Sequence, residues 1–260
     1  MNNFYLISIQ YLGFRYHGWQ KQPKLKTVHL MIDKTLNYVF GGEIKFKSLA
    51  VGRTDAMVSA NDTAFELFVE QPILNFDIFI AQFNYYLPQD IRAVAMHAVD
   101  KDFNVIQNAK IKEYVYVFAH GQKAHPFCAS LMTTFRDVLD IELMAQGAKL
   151  FIGTHNFKGY CSKVSENGLY TRAVAHCELI PNTLFTASFL PKASYLLKVE
   201  GEGFGYNQIR TMMGTLVKLG RHEITLKDIS ESLEPNSTIV MDFIAPASGL
   251  ILNRVAFDKF

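Results

Sequence analysis

Short segments of alternating apolar and polar residues recur along this chain, and they limit the folds that it can adopt. The two-residue period of strands is present in FYLISIQY, RAVAMHAV, KEYVYVFAH, TRAVAHCELI and SYLLKVEG. Alternation of this kind is typical of antiparallel sheets, in which one face is buried and the other is open. The sequence therefore predicts an α+β fold with a mostly antiparallel sheet, in preference to a doubly wound parallel sheet.

The predicted helices are fewer than the predicted strands. Apolar residues at helical spacing predict them at 27–40, around Ile78–Phe83, at 137–150, at 204–219 and from Thr225. The order of strands and helices recurs in the second part of the chain. The 260 residues are therefore predicted to form two α+β halves, at 1–105 and 106–260.

Composition narrows the class of protein. Hydrophobic residues make up 49% of the chain and charged residues 19%, which is typical of a folded globular protein. The net charge of +2 permits a nucleic-acid partner without requiring one. Basic residues cluster at 21–26 and at 218–221, where they could bind phosphate or simply face water.

Several common functional patterns are missing from the sequence. The cysteines Cys128, Cys161 and Cys177 have unrelated spacings, and their combination with His155 and His176 matches no zinc pattern. The sequence contains no G-x-S-x-G, H-E-x-x-H or nucleotide-loop motif. No apolar run approaches the roughly 18 residues of a membrane helix, and the first residues resemble no signal peptide. We therefore expect a cytoplasmic protein with no membrane span and no metal site.

Three polar residues stand out from apolar or glycine-rich surroundings. Asp55 lies in VGRTDA, a turn-forming stretch between two predicted strands. Tyr114 lies in a predicted strand, on the same face as Tyr116 and Phe118, and could be a site residue or a packing residue. Arg210 is the lone charge across most of a predicted helix. An arginine there needs a carboxylate or phosphate partner, or it must reach water as a surface residue.

A series of short motifs resembles the TruA-type tRNA pseudouridine synthases. GRTDA at 52–56 resembles the signature of that family, and YLG followed by YHGWQ resembles its opening motif. Five later stretches of this chain resemble further motifs of the family: KEYVY, GTHNF, Thr171-Arg172, FGYNQIRTMMG and ASGLIL. The motifs occur in the order of the family, and the resemblance covers nearly the whole chain.

The resemblance implies a fold and a reaction. The family fold has two ferredoxin-like halves that form a continuous, mostly antiparallel sheet with helices on one side and a central cleft. The family isomerises uridine to pseudouridine in the anticodon stem-loop of tRNA and uses no cofactor. The implied partner is therefore tRNA. Bacterial relatives form homodimers, and nothing in this sequence itself demonstrates a dimer.

The resemblance also assigns catalytic roles. The reaction breaks the C1′–N1 bond and joins C1′ to C5 of the uracil, so a carboxylate can attack the sugar, stabilise its charge or remove a proton. That carboxylate is Asp55 by resemblance, and Arg210 is the cation that keeps it ionised. Tyr114 is implied to lie against the uracil and to relay the proton that leaves C5.

Three further residues are implied to form the substrate-binding part of the site. Arg53 flanks the catalytic carboxylate and is expected to assist flipping of the target base. Thr54 is expected to fix the turn through a bond between its side chain and the backbone. Leu250 is expected to pack against the flipped uracil.

Two residues depart from the usual family motif G-R-T-D-A-G-V-H-A. Met57 replaces a glycine and Ser59 a histidine. A glycine beside a catalytic loop often has a positive φ, which methionine resists. Met57 therefore keeps open the alternative of a catalytically silent RNA-binding relative with the same fold. A cofactor-free N-glycosidase that releases uracil is another alternative, but it would need a second carboxylate to activate water.

Overall fold

The computed structural model describes residues 3–165 and 167–258. It divides into two compact units, Met1–Lys110 with Leu252–Phe260, and Ile111–Ile251. Along the chain the strands and helices are β1 (Asn3–Tyr11), α1 (Val28–Val39), β2 (Phe46–Ala50), β3 (Ser59–Val69), α2 (Phe76–Tyr86), β4 (Ile91–Ala98), β5 (Ala109–His120), β6 (Thr133–Phe135), α3 (Ile141–Lys149), β7 (Gly153–Asn156), β8 (Thr171–Pro181), β9 (Tyr195–Gly201), α4 (Gln208–Gly220), α5 (Leu226–Ser232) and β10 (Leu250–Phe257).

Helices α1, α2, α3 and α5 begin after a polar residue whose side chain caps the first turn. The side chain of Thr27 accepts a backbone N–H from the first turn of α1, and Thr225 and Asp228 cap α5 reciprocally. Each such cap contributes about 1 kcal/mol to the stability of its helix. The predicted helix at 27–40 is confirmed, whereas α3 starts later than the predicted 137 because Asp140 is its cap.

Helix α4 also starts later than the sequence predicted. The expected start was residue 204, but Asn207 has a left-handed φ of 63° and interrupts helical geometry just before Gln208. The side chain of Gln208 reaches back and accepts the N–H of Gly205 at 2.7 Å. The residues before α4 therefore form a turn that precedes the helix.

The first unit contains an antiparallel sheet in the order β4–β1–β3, with β2 and β10 also beside β3. Strand β3 begins shortly after the VGRTDA stretch, and Ala60 already pairs with Tyr11 of β1. Fully buried side chains from the sheet and from α1 and α2 form its core: Ile7, Ile9, Ile32, Leu36, Phe65, Leu67 and Phe83. Each of them stabilises the fold by about 1.5–3 kcal/mol through burial.

The second unit contains an antiparallel sheet in the order β5–β9–β8–β7, and β6 pairs with β5 in parallel. Helices α3 and α4 pack closely where Gly147 faces Leu219, since a Cβ on that glycine would lie 2.4 Å from the leucine side chain. The predicted α+β class with mostly antiparallel strands is confirmed. No helix within residues 3–165 and 167–258 is long and apolar enough to cross a membrane.

Candidate active site

The GRTDA segment connects β2 to β3 in the first unit. Val51 is buried just before it, and its N–H donates to the carbonyl oxygen of Ala64 at 3.2 Å. The carbonyl oxygen of Asp55 accepts the N–H of Val58 at 3.2 Å and closes a tight turn. Asp55 is half-buried, and Arg53 is exposed. Hydrogen bonds on both sides therefore hold Asp55 on a short, constrained segment.

Two glycines of the N-terminal motifs pack against this loop. A Cβ on Gly13 would lie 1.9 Å from the carbonyl oxygen of Val58, and a Cβ on Gly18 would lie 2.7 Å from that of Thr54. Gly18 also has a φ of 82°, which glycine adopts more easily than any other residue. The N–H of Trp19 donates to the same Thr54 oxygen at 3.1 Å. The YLG and YHGWQ motifs therefore support the GRTDA loop through contacts that leave no room for a side chain.

The side chain of Thr54 is turned into the first unit. It is 8% exposed, and its Oγ1 lies 2.8 Å from the hydroxyl oxygen of Tyr11 at the end of β1. The bond joins two side chains, whereas the sequence predicted a bond to the backbone. A satisfied buried hydrogen bond of this kind contributes about 1 kcal/mol. Thr54 thus ties the loop to β1.

The two residues that depart from the family motif both form hydrogen bonds to the N-terminal motifs. Met57 has a φ of 67°, and its N–H donates to the carbonyl oxygen of Tyr16 at 3.0 Å. A left-handed conformation costs a non-glycine residue about 1–2 kcal/mol, so methionine is strained there. The Oγ of Ser59 accepts the N–H of Gly13 at 2.9 Å and joins the start of β3 to the supporting motif.

In the second unit, Tyr114 lies on β5 with a half-buried side chain. Its ring meets that of Phe204 edge to face, with the centroids 5.5 Å apart. Tyr116 and Phe118, two and four positions along the strand, are fully buried. Burial raises the pKa of Tyr116, and its hydroxyl donates to the carbonyl oxygen of Pro246 at 2.7 Å. Tyr116 and Phe118 are therefore core residues, and Tyr114 is the accessible aromatic residue of the three.

Arg210 lies in the first turn of α4 and is half-buried. Its Nε donates to the carbonyl oxygen of Ala245 at 2.7 Å, and its Nη1 donates to Oδ1 of Asn207 at 3.0 Å. Asn207 is itself held, because its Nδ2 donates to Oγ of Ser162 at 3.0 Å. These partners are neutral, so they fix the guanidinium without cancelling its charge.

Leu250 begins β10 and is 6% exposed. The preceding Gly249 lies flat against a tyrosine ring, since a Cβ there would be 2.8 Å from the ring of Tyr116. The segment before it runs along α4, where a Cβ on Gly214 would lie 1.8 Å from the carbonyl oxygen of Phe243. These contacts fix the chain that leads to Leu250.

Potential metal ligands and cysteine thiols are the other candidate reactive groups of the chain. Among the described residues, no group of three or more His, Cys, Asp or Glu side chains is placed to hold a metal ion. Cys128, Cys161 and Cys177 are free cysteines. Burial raises the pKa of all three thiols, which makes them poor nucleophiles at neutral pH.

Comparison with proteins of known family gives matches that cover nearly the whole chain. The sequence profile of a family described as tRNA pseudouridine synthase matches residues 148–258. A tRNA pseudouridine synthase A of Brachyspira hyodysenteriae is 30% identical over 258 residues, which cover 99% of this chain and 99% of that protein. The chain belongs to the tRNA pseudouridine synthase family.

Other bacterial members of the tRNA pseudouridine synthase family give similar values. The synthase A of Exiguobacterium sibiricum is 30% identical over 252 residues, which cover 97% of this chain and 96% of that protein. The synthase A of Thermodesulfovibrio yellowstonii is 27% identical over 252 residues, which cover 96% of this chain and 98% of that protein. The resemblance seen in the sequence motifs therefore reflects family membership.

The predicted site residues fall into two groups within this tRNA pseudouridine synthase family member. Those of the first unit share one loop: Arg53, Thr54 and Asp55. Those of the second unit are spread over a strand, a helix and the start of β10: Tyr114, Arg210 and Leu250.

Sequence reasoning missed the residues that support these side chains. Tyr11, Gly13 and Gly18 brace the loop, and Asn207 fixes Arg210. Asn207 offered a usable signal, because asparagine is enriched among non-glycine residues with positive φ and here it directly precedes a helix. The glycines offered a weaker signal, since a close backbone approach is visible only in three dimensions.

Proposed function

We propose that this chain isomerises uridine to pseudouridine in the anticodon stem-loop of tRNA, with Asp55 as the catalytic carboxylate. Family membership supports the reaction. The observation that carries the role of Asp55 is its place on a short loop that hydrogen bonds and two glycine contacts constrain. A carboxylate held in this way loses little freedom when it meets its substrate, which is a general source of catalytic rate.

The proposed reaction rearranges bonds within one nucleotide. The C1′–N1 bond breaks, the uracil turns, and C5 joins C1′. The proton on C5 leaves, and N1 gains a proton, so the product has the composition of the substrate. Asp55 must be ionised for this, whether it attacks the sugar carbon, stabilises charge on it or removes a proton.

Arg210 supplies positive charge in this proposal. A guanidinium near a carboxylate favours its ionised form and lowers its pKa. The neutral contacts of Arg210 to Ala245 and Asn207 support this role, because they orient the guanidinium and leave its charge for a carboxylate or phosphate. Removal of the arginine is expected to lower activity, since a carboxylate in a dry site would then be poorly compensated.

The remaining site residues contact the substrate. The accessible ring of Tyr114 stacks on the uracil and relays the proton that leaves C5. The exposed side chain of Arg53 enters the space that the flipped base vacates or holds a phosphate. Leu250 packs against the flipped uracil, and Thr54 keeps the loop in place through Tyr11.

The catalytically silent alternative rests on Met57 and on the modest net charge of +2. Met57 adopts a φ of 67°, which methionine resists, at a cost of about 1–2 kcal/mol. The loop hydrogen bonds around Asp55 are formed with methionine in place. We therefore favour an active enzyme.

The partner of the proposed enzyme is tRNA, and its setting is the cytoplasm. We include a homodimer in the proposal, as implied by the bacterial relatives of the family. Light scattering on the purified chain would measure its mass in solution, and a value near the monomer mass of 29.5 kDa would remove the dimer from the proposal.

Product analysis tests the proposed reaction. An unmodified tRNA transcript is incubated with the protein, and its nucleosides are separated and compared with pseudouridine and free uracil. We expect pseudouridine, mapped by chemical modification and primer extension to the anticodon stem-loop. Free uracil would instead identify an N-glycosidase, and pseudouridine elsewhere in the tRNA would contradict the proposed target.

A further inference from the structure

A groove in the second unit combines basic and aromatic residues that the proposed chemistry does not use. It consists of two adjoining cavities of about 420 and 280 Å³, which share Lys123, Ala124 and His125 in their linings. Residues 189–193 close the first cavity, and Pro246 lies at the second. We call this feature the 123–136 groove.

The charged side chains that line the 123–136 groove are all cationic. They are Lys123, Lys192 and Arg136, and all three are exposed. Within residues 3–165 and 167–258, none of the three takes part in an ion pair. Their charge is therefore available to an anionic ligand, and a chain of phosphates has the matching charge.

Two histidines line the same groove with fixed rings. Nδ1 of His120 accepts the N–H of Leu139 at 3.1 Å, and Nδ1 of His125 accepts the N–H of Phe127 at 3.2 Å. A neutral imidazole that accepts at Nδ1 carries its hydrogen on Nε2. Both rings can therefore donate to a phosphate or carbonyl oxygen in the groove.

An exposed aromatic cluster borders the groove. Phe127 is 69% exposed and meets His125 edge to face at 4.8 Å between ring centroids. It also meets Phe189 edge to face at 5.9 Å. Stacking on another flat apolar face would bury much of this exposed surface and is therefore favourable. An unpaired nucleotide base is such a face, and stacking of this kind contributes roughly 1–3 kcal/mol per base.

We propose that the 123–136 groove binds an unpaired segment of the tRNA that lies away from the target uridine. Lysines with available charge beside an exposed aromatic residue are the usual means of binding single-stranded nucleic acid. Lys123, Lys192 and Arg136 contact the phosphates, and Phe127 stacks on a base. This inference rests on the proposed function, because it takes tRNA as the substrate.

Strand β5 gives the distance between the groove and the proposed uracil contact. Tyr114 and His120 lie on this one strand. At about 3.3 Å per residue, they are roughly 20 Å apart. The nucleotide that stacks on Tyr114 cannot span that distance, so the groove meets a different part of the RNA.

Charge reversal tests the proposal. The variant carries Lys123→Glu with Lys192→Glu, and the control carries Lys34→Glu with Lys149→Glu, which change the net charge equally at exposed positions outside the groove. Binding of full-length tRNA transcript and of an isolated anticodon stem-loop hairpin is measured at several salt concentrations. Phe127→Ala, at an exposed site, removes the stacking surface without reversing a charge.

We expect the groove variant to bind the full transcript about tenfold or more weakly than the control. Its plot of log K against log salt should be less steep by about 0.7 for each lost phosphate contact. Affinity for the hairpin should change by less than twofold. In turnover of the full transcript, the effect should appear as a higher KM. Phe127→Ala should weaken transcript binding without changing the salt slope.

Three results would overturn the inference. The groove and control variants could bind the transcript equally, or the groove variant could lose the hairpin as strongly as the transcript. The groove variant could also change the mass of the protein in solution, which would identify the groove as an interface between two copies of the chain. Binding is measured apart from isomerisation, so a native protein that binds tRNA and forms no pseudouridine would contradict the proposed function alone.

Discussion

The two units fix their proposed catalytic side chains in different ways. In the first unit, the loop around Asp55 is held by backbone hydrogen bonds and by glycines that pack against its carbonyl oxygens. In the second unit, Arg210 is held through its own side chain, by Ala245 and by Asn207. A carboxylate on a short side chain moves little once its backbone is fixed, whereas a long guanidinium needs bonds at its far end.

This difference predicts where each unit is most sensitive to substitution. The loop should shift when a side chain is added at one of the glycines that pack against it, because its position depends on close backbone packing. Arg210, at the start of α4, should lose its fixed position when a side chain that bonds to it is removed. Four substitutions, ordered from the largest expected effect to the smallest, test the contrast.

Gly18→Ala should have the largest effect. Its Cβ would lie 2.7 Å from the carbonyl oxygen of Thr54, so the loop must shift. Gly42 is a matched control, because its φ of 77° resembles the 82° of Gly18 but nothing lies within 4 Å of a Cβ there. We expect Gly42→Ala to lower the free energy of unfolding by about 1 kcal/mol and Gly18→Ala by about 3 kcal/mol.

The activities of Gly18→Ala and Gly42→Ala should differ more than their stabilities do. A displacement of the catalytic loop by about 1 Å can lower the rate about 100-fold, so kcat/KM of Gly18→Ala should fall by that order. Chemical denaturation and steady-state kinetics on tRNA measure the two effects. Equal losses in both variants would show that positive φ, and not close packing, determines the role of Gly18.

Asn207→Gly should have the next largest effect. Glycine accepts the left-handed φ of 63° but removes the bond to Arg210, so it separates backbone conformation from side-chain fixing. A hydrogen bond to a charged group is worth about 1.5–3 kcal/mol, which predicts a loss of about 10- to 100-fold in kcat/KM. Ser162→Ala removes only the outer bond to Asn207 and should cost less. Unchanged kinetics in Asn207→Gly would show that Arg210 does not depend on this contact.

Thr54→Val should have a moderate effect on stability. It leaves the buried hydroxyl of Tyr11 without the threonine partner, at a cost of about 1–2 kcal/mol in the free energy of unfolding. Tyr11→Phe should cost a similar amount, and the double variant should cost less than the sum of the two. A double-mutant cycle with a coupling energy near zero would mean that the bond does not tie the loop to β1.

Met57→Gly should have the smallest effect. Glycine removes the strain of the φ of 67° but makes the unfolded chain more flexible, and these effects nearly cancel. We expect a change within about 1 kcal/mol in the free energy of unfolding and less than threefold in kcat/KM. A large gain in activity would mean that methionine distorts the loop in solution.

Local patterns predicted most of the fold. Alternation and helical spacing located the helices and most of the strands, because burial of one face forces those periods on the sequence. The short strands β6 and β7 were not predicted. The start of α4 was predicted too early, since the turn before it depends on a left-handed Asn207 and on the side chain of Gln208. The apolar periodicity of a helix carries no information about either contact.

The candidate site was predicted in its residues but not in its supports. Family motifs supplied Asp55, Tyr114 and Arg210 as candidates, and their catalytic roles stay a prediction. The Thr54–Tyr11 bond and the packing of Gly13 join residues far apart in the chain. Contacts of that kind follow from strand register and loop path, which a single sequence does not determine.

The most direct test of the central claim is tritium release from tRNA labelled at C5 of uridine, with the native protein and with Asp55→Asn. Hydrogen leaves C5 only if the uracil is rejoined to the sugar through that carbon. We predict release by the native protein and a loss of about a thousandfold or more in Asp55→Asn, with tRNA binding retained. Equal release by both proteins would contradict the catalytic role of Asp55, and no release by either would contradict the synthase itself.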